Sequence, residues 1–212
     1  MFANRTEAGE RLAAAIAQAN VDADVVLAIP RGGLPVGRAV ADALSVPLDV
    51  VVARKVGAPG NPELAVAAVA DDGTTWRNES LIGSFDLSTE YMDEETEHEQ
   101  RAAKEKFDRY RGDRPPLELT GKRVLVVDDG LATGATMQAC VQRVWDAGAA
   151  SVVVAVPVAS PETATELERA ADRVVAVETP SNFAAVGQFY RDFSQVSDDE
   201  AMALLDRAER SN

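Results

Sequence analysis

The chain of 212 residues is poor in cysteine and histidine, with one of each, Cys140 and His98. One cysteine cannot form an intrachain disulfide, and it cannot build a thiolate metal cluster. Cys140 falls on the apolar face of a predicted helix, so we interpret it as a core residue. His98 stands among five acidic residues between positions 93 and 99. We interpret it as a solvated helix residue rather than a catalyst.

Long apolar runs and an N-terminal targeting pattern are also lacking. No apolar run approaches membrane-spanning length, and the first twenty residues lack a basic segment followed by an apolar core. We therefore expect a cytoplasmic protein without a membrane partner. Aromatic residues make up only 5% of the chain, so the four between positions 183 and 193 form an uneven cluster.

Basic residues are scarce relative to acidic ones. The chain has 21 lysines and arginines against 35 aspartates and glutamates, a net charge of −14. This charge argues against nucleic acid and anionic lipid as partners, because both need basic surface. Only four of the basic residues are lysines, and an acidic, lysine-poor composition resembles that of proteins from salt-loving organisms. Residues 71–108 carry twelve acids and four bases, which is over half of the net charge.

Short apolar strands alternate with helices, which indicates an α/β fold with a doubly wound, mostly parallel sheet flanked by helices. Strands are predicted at residues 25–29, 48–55, 63–70, 124–129, 151–158 and 174–178. Helices are predicted from a capping box at Asn4 and Glu7 to about residue 19, and at 34–44, 92–111, 136–146, 163–171 and 197–210. We expect a single domain over residues 1–212. Within it, residues 71–120 form an acidic helical arm or lid, and 179–212 form a small hood and tail helix.

The stretch VLVVDDGLATGATM, residues 124–137, combines the features of a phosphate site. A buried strand ends in two adjacent carboxylates, Asp128 and Asp129, and a glycine-bearing loop leads into a helix. Such loops and helix N-termini present N–H groups that bind phosphate, and open α/β sheets bind ligands at the carboxyl ends of their strands. Two carboxylates repel a bare phosphate, so the pattern suits a sugar phosphate, whose hydroxyls separate the charges. The alternative is a plain strand–turn–helix crossover with incidental acids.

This motif resembles the 5-phosphoribosyl 1-diphosphate (PRPP) site of type I phosphoribosyltransferases. The resemblance implies that Asp128 and Asp129 are catalytic, hold the ribose hydroxyls and contact a metal ion indirectly, together with PRPP. It also implies a loop that binds the 5′-phosphate. The residues of that loop are Gly130, Ala132, Thr133, Gly134, Ala135 and Thr136. Nearly the whole chain is similar to one branch of small predicted phosphoribosyltransferases.

Two basic segments match further parts of this family. IPRGGLPVG, residues 29–37, follows the first core strand, where the family has a loop that contacts pyrophosphate. Arg31, Gly32 and Gly33 match that loop. Arg54 and Lys55 match a basic pair that faces the active site, and the alternative for this pair is a solvated strand end. The resemblance implies that Arg31 and Lys55 stabilise charge on the leaving pyrophosphate, and that Arg54 binds PRPP.

The implied activity is Mg²⁺-dependent transfer of a phosphoribosyl group from PRPP to a nitrogenous base or related amine, with release of pyrophosphate. The alternative is a non-catalytic regulator that binds PRPP or a nucleotide. A nucleotide hydrolase is disfavoured, because the chain lacks the G-x-x-x-x-G-K-[ST] motif. Enzymes for 6-oxopurines usually carry an aspartate where this chain has Ala132, which disfavours those acceptors. The family also implies a homodimer.

The clustered aromatic residues are candidates for a base-binding hood. The candidates are Phe183, Val186, Phe189 and Tyr190, with Phe193 beside them. They suit stacking on a planar base, and the alternative is that they close the core under the tail helix.

Charged residues outside the motifs receive weaker assignments. The arginines that end the arm, Arg109, Arg111 and Arg114, are expected to pair with carboxylates of the arm. The alternative is that they reach a phosphate when a lid closes. Glu63 is a possible site residue with no assigned mechanism.

Overall fold

Alternating strands and helices build a five-stranded parallel sheet, which confirms the predicted fold class. The structure is a computed structural model that describes residues 1–115 and 117–206. The strands in spatial order are β2 (Leu48–Val50), β1 (Val25–Ala28), β6 (Arg123–Val127), β7 (Ser151–Val158) and β8 (Arg173–Glu178). All four neighbouring pairs run parallel. The carboxyl ends of β1 and β6 therefore lie side by side at one edge of the sheet.

Helices cover both faces of this sheet. One face carries α1 (Arg5–Gln18) and α2 (Gly33–Leu44), and the other carries α5 (Ala135–Asp146) and α6 (Pro161–Leu167). Along β1, Val26 packs with the first pair of helices and Leu27 with the second, as the two-residue period of a strand requires. The predicted N-cap of α1 is confirmed, because the Asn4 side chain accepts a hydrogen bond from the Glu7 N–H at 3.0 Å.

The strand predicted at residues 48–55 is wrong in one respect, because it is two strands in two sheets. Only β2 joins the parallel sheet. The next strand, β3 (Ala53–Ala58), pairs antiparallel with β4 (Asn61–Ala70), which pairs antiparallel with β5 (Thr75–Arg77). The turn between β3 and β4 is too short for a parallel crossover, so the two strands reverse direction. The basic pair at 54 and 55 therefore belongs to a small second sheet.

The acidic segment 71–120 contains α3 (Glu79–Ser84) and the 23-residue α4 (Thr89–Arg111). Helix α4 packs along the small sheet and buries Met92, Ala103 and Tyr110. Near its end, Arg111 forms a bidentate pair with Asp49 of β2, at 3.0 and 3.1 Å. The helix does not leave the sheets as a free arm, because an apolar stripe and this ion pair hold it down. A lid role for the segment stays a prediction.

Each of the three arginines at or just after the end of α4 has a carboxylate partner outside the arm, whereas the sequence predicts partners within it. Arg109 lies 3.2 Å from Asp198, and Arg114 lies 2.9 Å from Asp206. Both acids belong to the tail helix α7 (Asp198–Asp206), which packs against α2 through Ala201 and Leu205. The predicted continuation of this helix to residue 210 lies outside the described residues. Among the helices that the structure describes, none is long and apolar enough to cross a membrane.

Candidate active site

The two acids of the main motif lie at the carboxyl edge of the sheet, directly after β6. The Asp129 N–H donates to Oδ1 of Asp128 at 2.8 Å, which fixes the Asp128 carboxylate. Burial raises the pKa of Asp128 well above its usual value, and the charge of Asp129 raises it further. Burial also raises the pKa of Asp129, although a hydrogen bond from Arg5 opposes this. Two carboxylates held in this way favour a ligand that donates hydrogen bonds.

Arg5 is a site residue that sequence reasoning missed. Its Nε lies 2.7 Å from Oδ2 of Asp129, and both side chains are largely buried. The same guanidinium donates to the Ser194 carbonyl at 2.8 Å and stacks 3.9 Å above the ring of Phe193. It therefore links the start of α1, the acid pair and the C-terminal segment. No sequence signal points to it, because 124 residues separate it from its partner.

The Arg-Gly-Gly turn packs directly against the acid pair. The peptide bond between Pro30 and Arg31 is cis. A Cβ on Gly32 would lie 2.7 Å from Cγ of Asp129, and one on Gly33 would lie 3.0 Å from Cα of Asp128. Glycine is therefore required at both positions by close approach. The structure thus brings together the two motifs that the sequence separates by almost one hundred residues.

The backbone N–H groups of this turn divide into two kinds. The Gly33 N–H donates to the Ile29 carbonyl at 3.0 Å, so it serves the start of α2. Over residues 1–115 and 117–206, no group accepts a hydrogen bond from the N–H of Arg31 or Gly32. These two donors suit an anion, as predicted for a pyrophosphate loop.

The loop after the acids is held in place by the end of β7 and by α6. The Leu131 N–H donates to the Val158 carbonyl at 2.9 Å, and the Thr163 hydroxyl donates to the Ala132 carbonyl at 2.5 Å. Gly134 has φ of +74°, and a Cβ there would lie 2.5 Å from Thr163 Cγ2. Both observations require glycine.

Consecutive N–H groups lead from this loop into α5. Within the described part of the chain, no acceptor meets the N–H groups of residues 133–136. They lie at the N-terminus of a twelve-residue helix, whose dipole favours negative charge. The predicted 5′-phosphate loop has the geometry of an anion cup.

The predicted cations are each paired with a carboxylate. Arg31 lies 3.6 Å from Asp198, and Lys55 lies 2.7 Å from Glu63, which gives Glu63 a partner. Arg54 pairs with Glu99 of α4. Successive residues of a strand point to opposite faces, so Arg54 and Lys55 of β3 do not face the same side. Their roles in substrate binding stay predictions.

A fourth cation, Lys106 of α4, was also missed by sequence reasoning. Its Nζ donates to the Pro30 carbonyl at 2.7 Å, directly on the Arg-Gly-Gly turn. Burial lowers the pKa of Lys106, and the charges of Arg54 and Arg31 lower it further. These three cations therefore lie near one another, although they come from three different segments.

The hood residues divide between packing and exposure. Tyr190 is only 6% exposed, its ring lies between Phe2 and Phe193, and its hydroxyl donates to the Asp129 carbonyl at 2.6 Å. This residue packs into the core and supports the acid pair, and its assignment to base stacking stays a prediction. Val186 packs against Gly130, because a Cβ on Gly130 would lie 2.6 Å from Cγ1 of Val186.

The remaining hood aromatics are Phe183 and Phe189. Their ring centroids lie 5.4 Å apart, and both rings are half-buried. A base-binding role for these two residues and for Val186 stays a prediction.

The donor set of the site bears on whether it suits Mg²⁺. Among the described residues, no group of three or more His, Cys, Asp or Glu side chains could hold a metal ion. Mg²⁺ often uses one or two carboxylates together with water and substrate phosphate oxygens. The acid pair fits binding by two carboxylates together with substrate oxygens, in which the ion enters the site with the substrate.

Comparison with known proteins supports the same interpretation. The family model for the phosphoribosyl transferase domain matches residues 3–194 of this chain. The chain belongs to the phosphoribosyl transferase domain family. Two curated proteins from Mycobacterium tuberculosis strains, both named provisionally as phosphoribosyl transferases, are 43% identical over 210 residues. The matched region is 99% of this chain but 47% of theirs, so the chain spans about half the length of these relatives.

Two solved structures share the fold of this chain. The crystal structure of TT1426 from Thermus thermophilus is 43% identical, with a TM-score of 0.83 and coverage of 97% of each chain. A Neisseria gonorrhoeae protein solved with bound ppGpp has a TM-score of 0.51 at 18% identity, covering 96% of this chain and 92% of its own. The second likeness shows the fold alone.

Proposed function

We propose that this phosphoribosyl transferase domain moves the phosphoribosyl group of PRPP to a nitrogenous base or related amine, with Mg²⁺ and with release of pyrophosphate. One observation carries the proposal: the acid pair at 128 and 129 lies between two N–H-rich turns. One turn follows β1 and the other follows β6. A ribose with a phosphate at one end and a pyrophosphate at the other matches this order of anion, hydroxyl and anion sites.

The reaction breaks the bond between C1 of the ribose and an oxygen of pyrophosphate, and the electron pair stays on that oxygen. A bond forms between C1 and a nitrogen of the acceptor, which then loses a proton. The chain need not supply a nucleophile. Its residues hold the ribose through Asp128 and Asp129, and they hold the leaving group through Arg31 and the N–H groups of the turn. Such fixed charges and donors lower the barrier because they are oriented before the bond breaks.

Asp128 and Asp129 would help to hold a Mg²⁺ ion that binds together with the substrate. The ion would neutralise part of the charge on the substrate's phosphate groups. Asp129 already accepts from Arg5, so Asp128 has the less engaged carboxylate of the two. We therefore assign the larger share of hydroxyl or ion binding to Asp128.

Ala132 bears on the choice of acceptor. Its carbonyl is engaged by Thr163, and its side chain offers no proton-transfer group at the position where 6-oxopurine enzymes usually carry an aspartate. We propose an acceptor whose nitrogen needs no carboxylate there, such as adenine, a pyrimidine or a small amide.

The direct test is a screen of purines, pyrimidines and small amides with PRPP and Mg²⁺, with pyrophosphate release as the signal. Release with at least one acceptor supports the transferase. PRPP binding by calorimetry without release from any acceptor would favour the regulator instead. Without PRPP binding, both assignments fail.

Arg31→Ala is expected to lower turnover by about 100-fold, because a charged contact to the leaving group strengthens as the bond breaks. Affinity for ribose 5-phosphate should change less than about twofold, since that ligand has no pyrophosphate. Calorimetry with ribose 5-phosphate and steady-state assays with PRPP separate the two effects. Arg101→Ala is the matched control, because this arginine is exposed and its one hydrogen bond to the described residues stays within α4. Equal losses for both ligands would contradict the assigned role.

A further inference from the structure

Lys106 lies where the long helix crosses the Arg-Gly-Gly turn. Its Nζ bonds the Pro30 carbonyl at 2.7 Å and lies 6.0 Å from the centre of the Tyr110 ring. An ammonium group has three donors, and this bond uses one. Among the described residues, no carboxylate forms an ion pair with this Nζ, although the charges of Asp128 and Asp198 act on it from farther away.

The cations around Lys106 are balanced differently. Arg31 has Asp198 as a partner, and Arg54 has Glu99. Lys106 is partly buried near these two arginines, and its one hydrogen bond within the described part of the chain goes to a backbone carbonyl. A partly buried charge with no carboxylate in direct contact is costly, and like charges nearby add to the cost. A polyanion bound beside Lys106 would offset this electrostatic cost.

The helix also controls the partners of the two arginines. Glu99 of α4 binds Arg54, while Tyr110 donates to Asp198 at 2.5 Å, the acid that binds Arg31. The Asp198 carboxylate is shared among Arg31, Arg109 and Tyr110, so it can release Arg31 and keep two partners. Helix α4 therefore presents Lys106 to the turn and supplies the carboxylate that binds Arg54, and its Tyr110 bonds the α7 carboxylate that binds Arg31.

We propose that Lys106 binds the pyrophosphate group of PRPP, and that it does so from α4 as a third cation beside Arg31 and Arg54. This role rests on the proposed function, and it extends the site to a helix that no sequence motif marks. Pyrophosphate has several negative charges, and one lysine with two remaining donors can contact two of its oxygens. The bond to Pro30 keeps the ammonium at the turn while those donors bind the anion.

A purely structural role is the competing explanation, in which Lys106 only ties α4 to the turn. The two explanations differ in what the loss of the charge does to different ligands. A pyrophosphate contact affects ligands that carry pyrophosphate. A structural tie affects the whole turn, and with it every ligand that needs the neighbouring acid pair.

The test uses Lys106→Met, Lys106→Gln and Lys106→Arg, with inorganic pyrophosphate and ribose 5-phosphate as calorimetric probes. The first two variants are expected to bind pyrophosphate about 10-fold to 100-fold more weakly, with ribose 5-phosphate affinity within about twofold. Lys106→Arg keeps the charge and should restore most of the pyrophosphate affinity. Lys104→Met is the matched control, because Lys104 lies on the same helix, is exposed and, among the described residues, pairs with Asp108 alone.

Unchanged pyrophosphate affinity in Lys106→Gln would overturn the role while leaving the proposed function intact. Equal losses for both probes would also overturn it, in favour of the structural tie. If wild-type protein binds neither probe, the proposed function is wrong, and the role of Lys106 is wrong with it. Thermal unfolding of each variant shows whether the protein is folded in the binding assay, and the arginine variant covers the case in which Met and Gln destabilise the helix.

Discussion

Asp128→Asn is expected to weaken PRPP binding by about 100-fold or more and to leave the fold at least as stable as before. A hydrogen bond to a charged group contributes about 1.5–3 kcal/mol, and a carboxylate that accepts from ribose hydroxyls or contacts a bound ion loses that on conversion to an amide. Calorimetry with PRPP and Mg²⁺ measures the affinity, and chemical denaturation measures the free energy of unfolding.

The stability half of this expectation follows from the sign of the pKa shift. Burial raises the pKa of Asp128 above its unfolded value, so ionisation of this carboxyl destabilises the fold. That cost is complete above the folded-state pKa and disappears as the pH falls to the unfolded pKa. Asparagine removes the charge and can still accept the Asp129 N–H through its amide oxygen. In wild-type protein, Asp128 makes the free energy of unfolding depend on pH, and the variant should lose that contribution.

Asp129→Asn is the informative contrast. It removes the charged partner of Arg5, whose side chain is only 11% exposed, so this variant should be less stable than wild type. The double variant should lose PRPP binding altogether. If Asp128→Asn binds PRPP as wild type does, the assignment of the acid pair to the ribose is wrong.

Gly32→Ala is expected to reduce turnover by about 100-fold, although it adds a single methyl group. That methyl would lie 2.7 Å from Cγ of Asp129 and 3.3 Å from Nε of Arg5, so the acid, the arginine or the turn must move. A displacement of about 1 Å in a positioning group can cost about 100-fold in rate. Overpacking should also lower the free energy of unfolding by about 1–3 kcal/mol. Steady-state assays and denaturation measure the two effects.

Gly83→Ala is the control for this substitution. Gly83 lies in α3, far from the acid pair in the chain, and a Cβ there meets no heavy atom within 4 Å. In a helix, alanine is favoured over glycine by about 0.5–1 kcal/mol, so the control should be slightly stabilised with unchanged turnover. Turnover in Gly32→Ala that matches this control would show that the turn and the acid pair do not act together.

The parts of the site that could be predicted are those encoded within one short segment. The strand, the acids and the loop of residues 124–137 are contiguous, and each has a local physical signature. The capped start of α1 is similar, because Asn4 and Glu7 act across three residues. The glycines of the turn at 32 and 33 also stand out, although the sequence does not show that they touch the acids.

The parts that could not be predicted depend on tertiary contacts. Arg5 and Lys106 carry no pattern of their own, and each gains its role from a partner that is distant along the chain, 124 and 76 residues away. The residues of β2 and β3 look like one strand because an apolar run from Val50 to Ala53 continues from one into the other, and only pairing with β4 separates them. Tyr190 looks like a stacking residue in sequence, yet burial between two other rings and a bond to the Asp129 carbonyl make it part of the support.

The Cys140 thiol can report how often helix α5 separates from the sheet. The thiol is fully buried on α5, and burial raises its pKa well above the usual value, so the reactive thiolate is suppressed in the closed fold. A thiol reagent therefore modifies only molecules in which α5 has separated from the sheet, and the labelling rate measures how often this happens. The same helix begins at the anion cup of residues 133–136. An anion bound there would hold the helix closed, so we expect substrate occupancy to protect a single sulfur atom about one to two turns away.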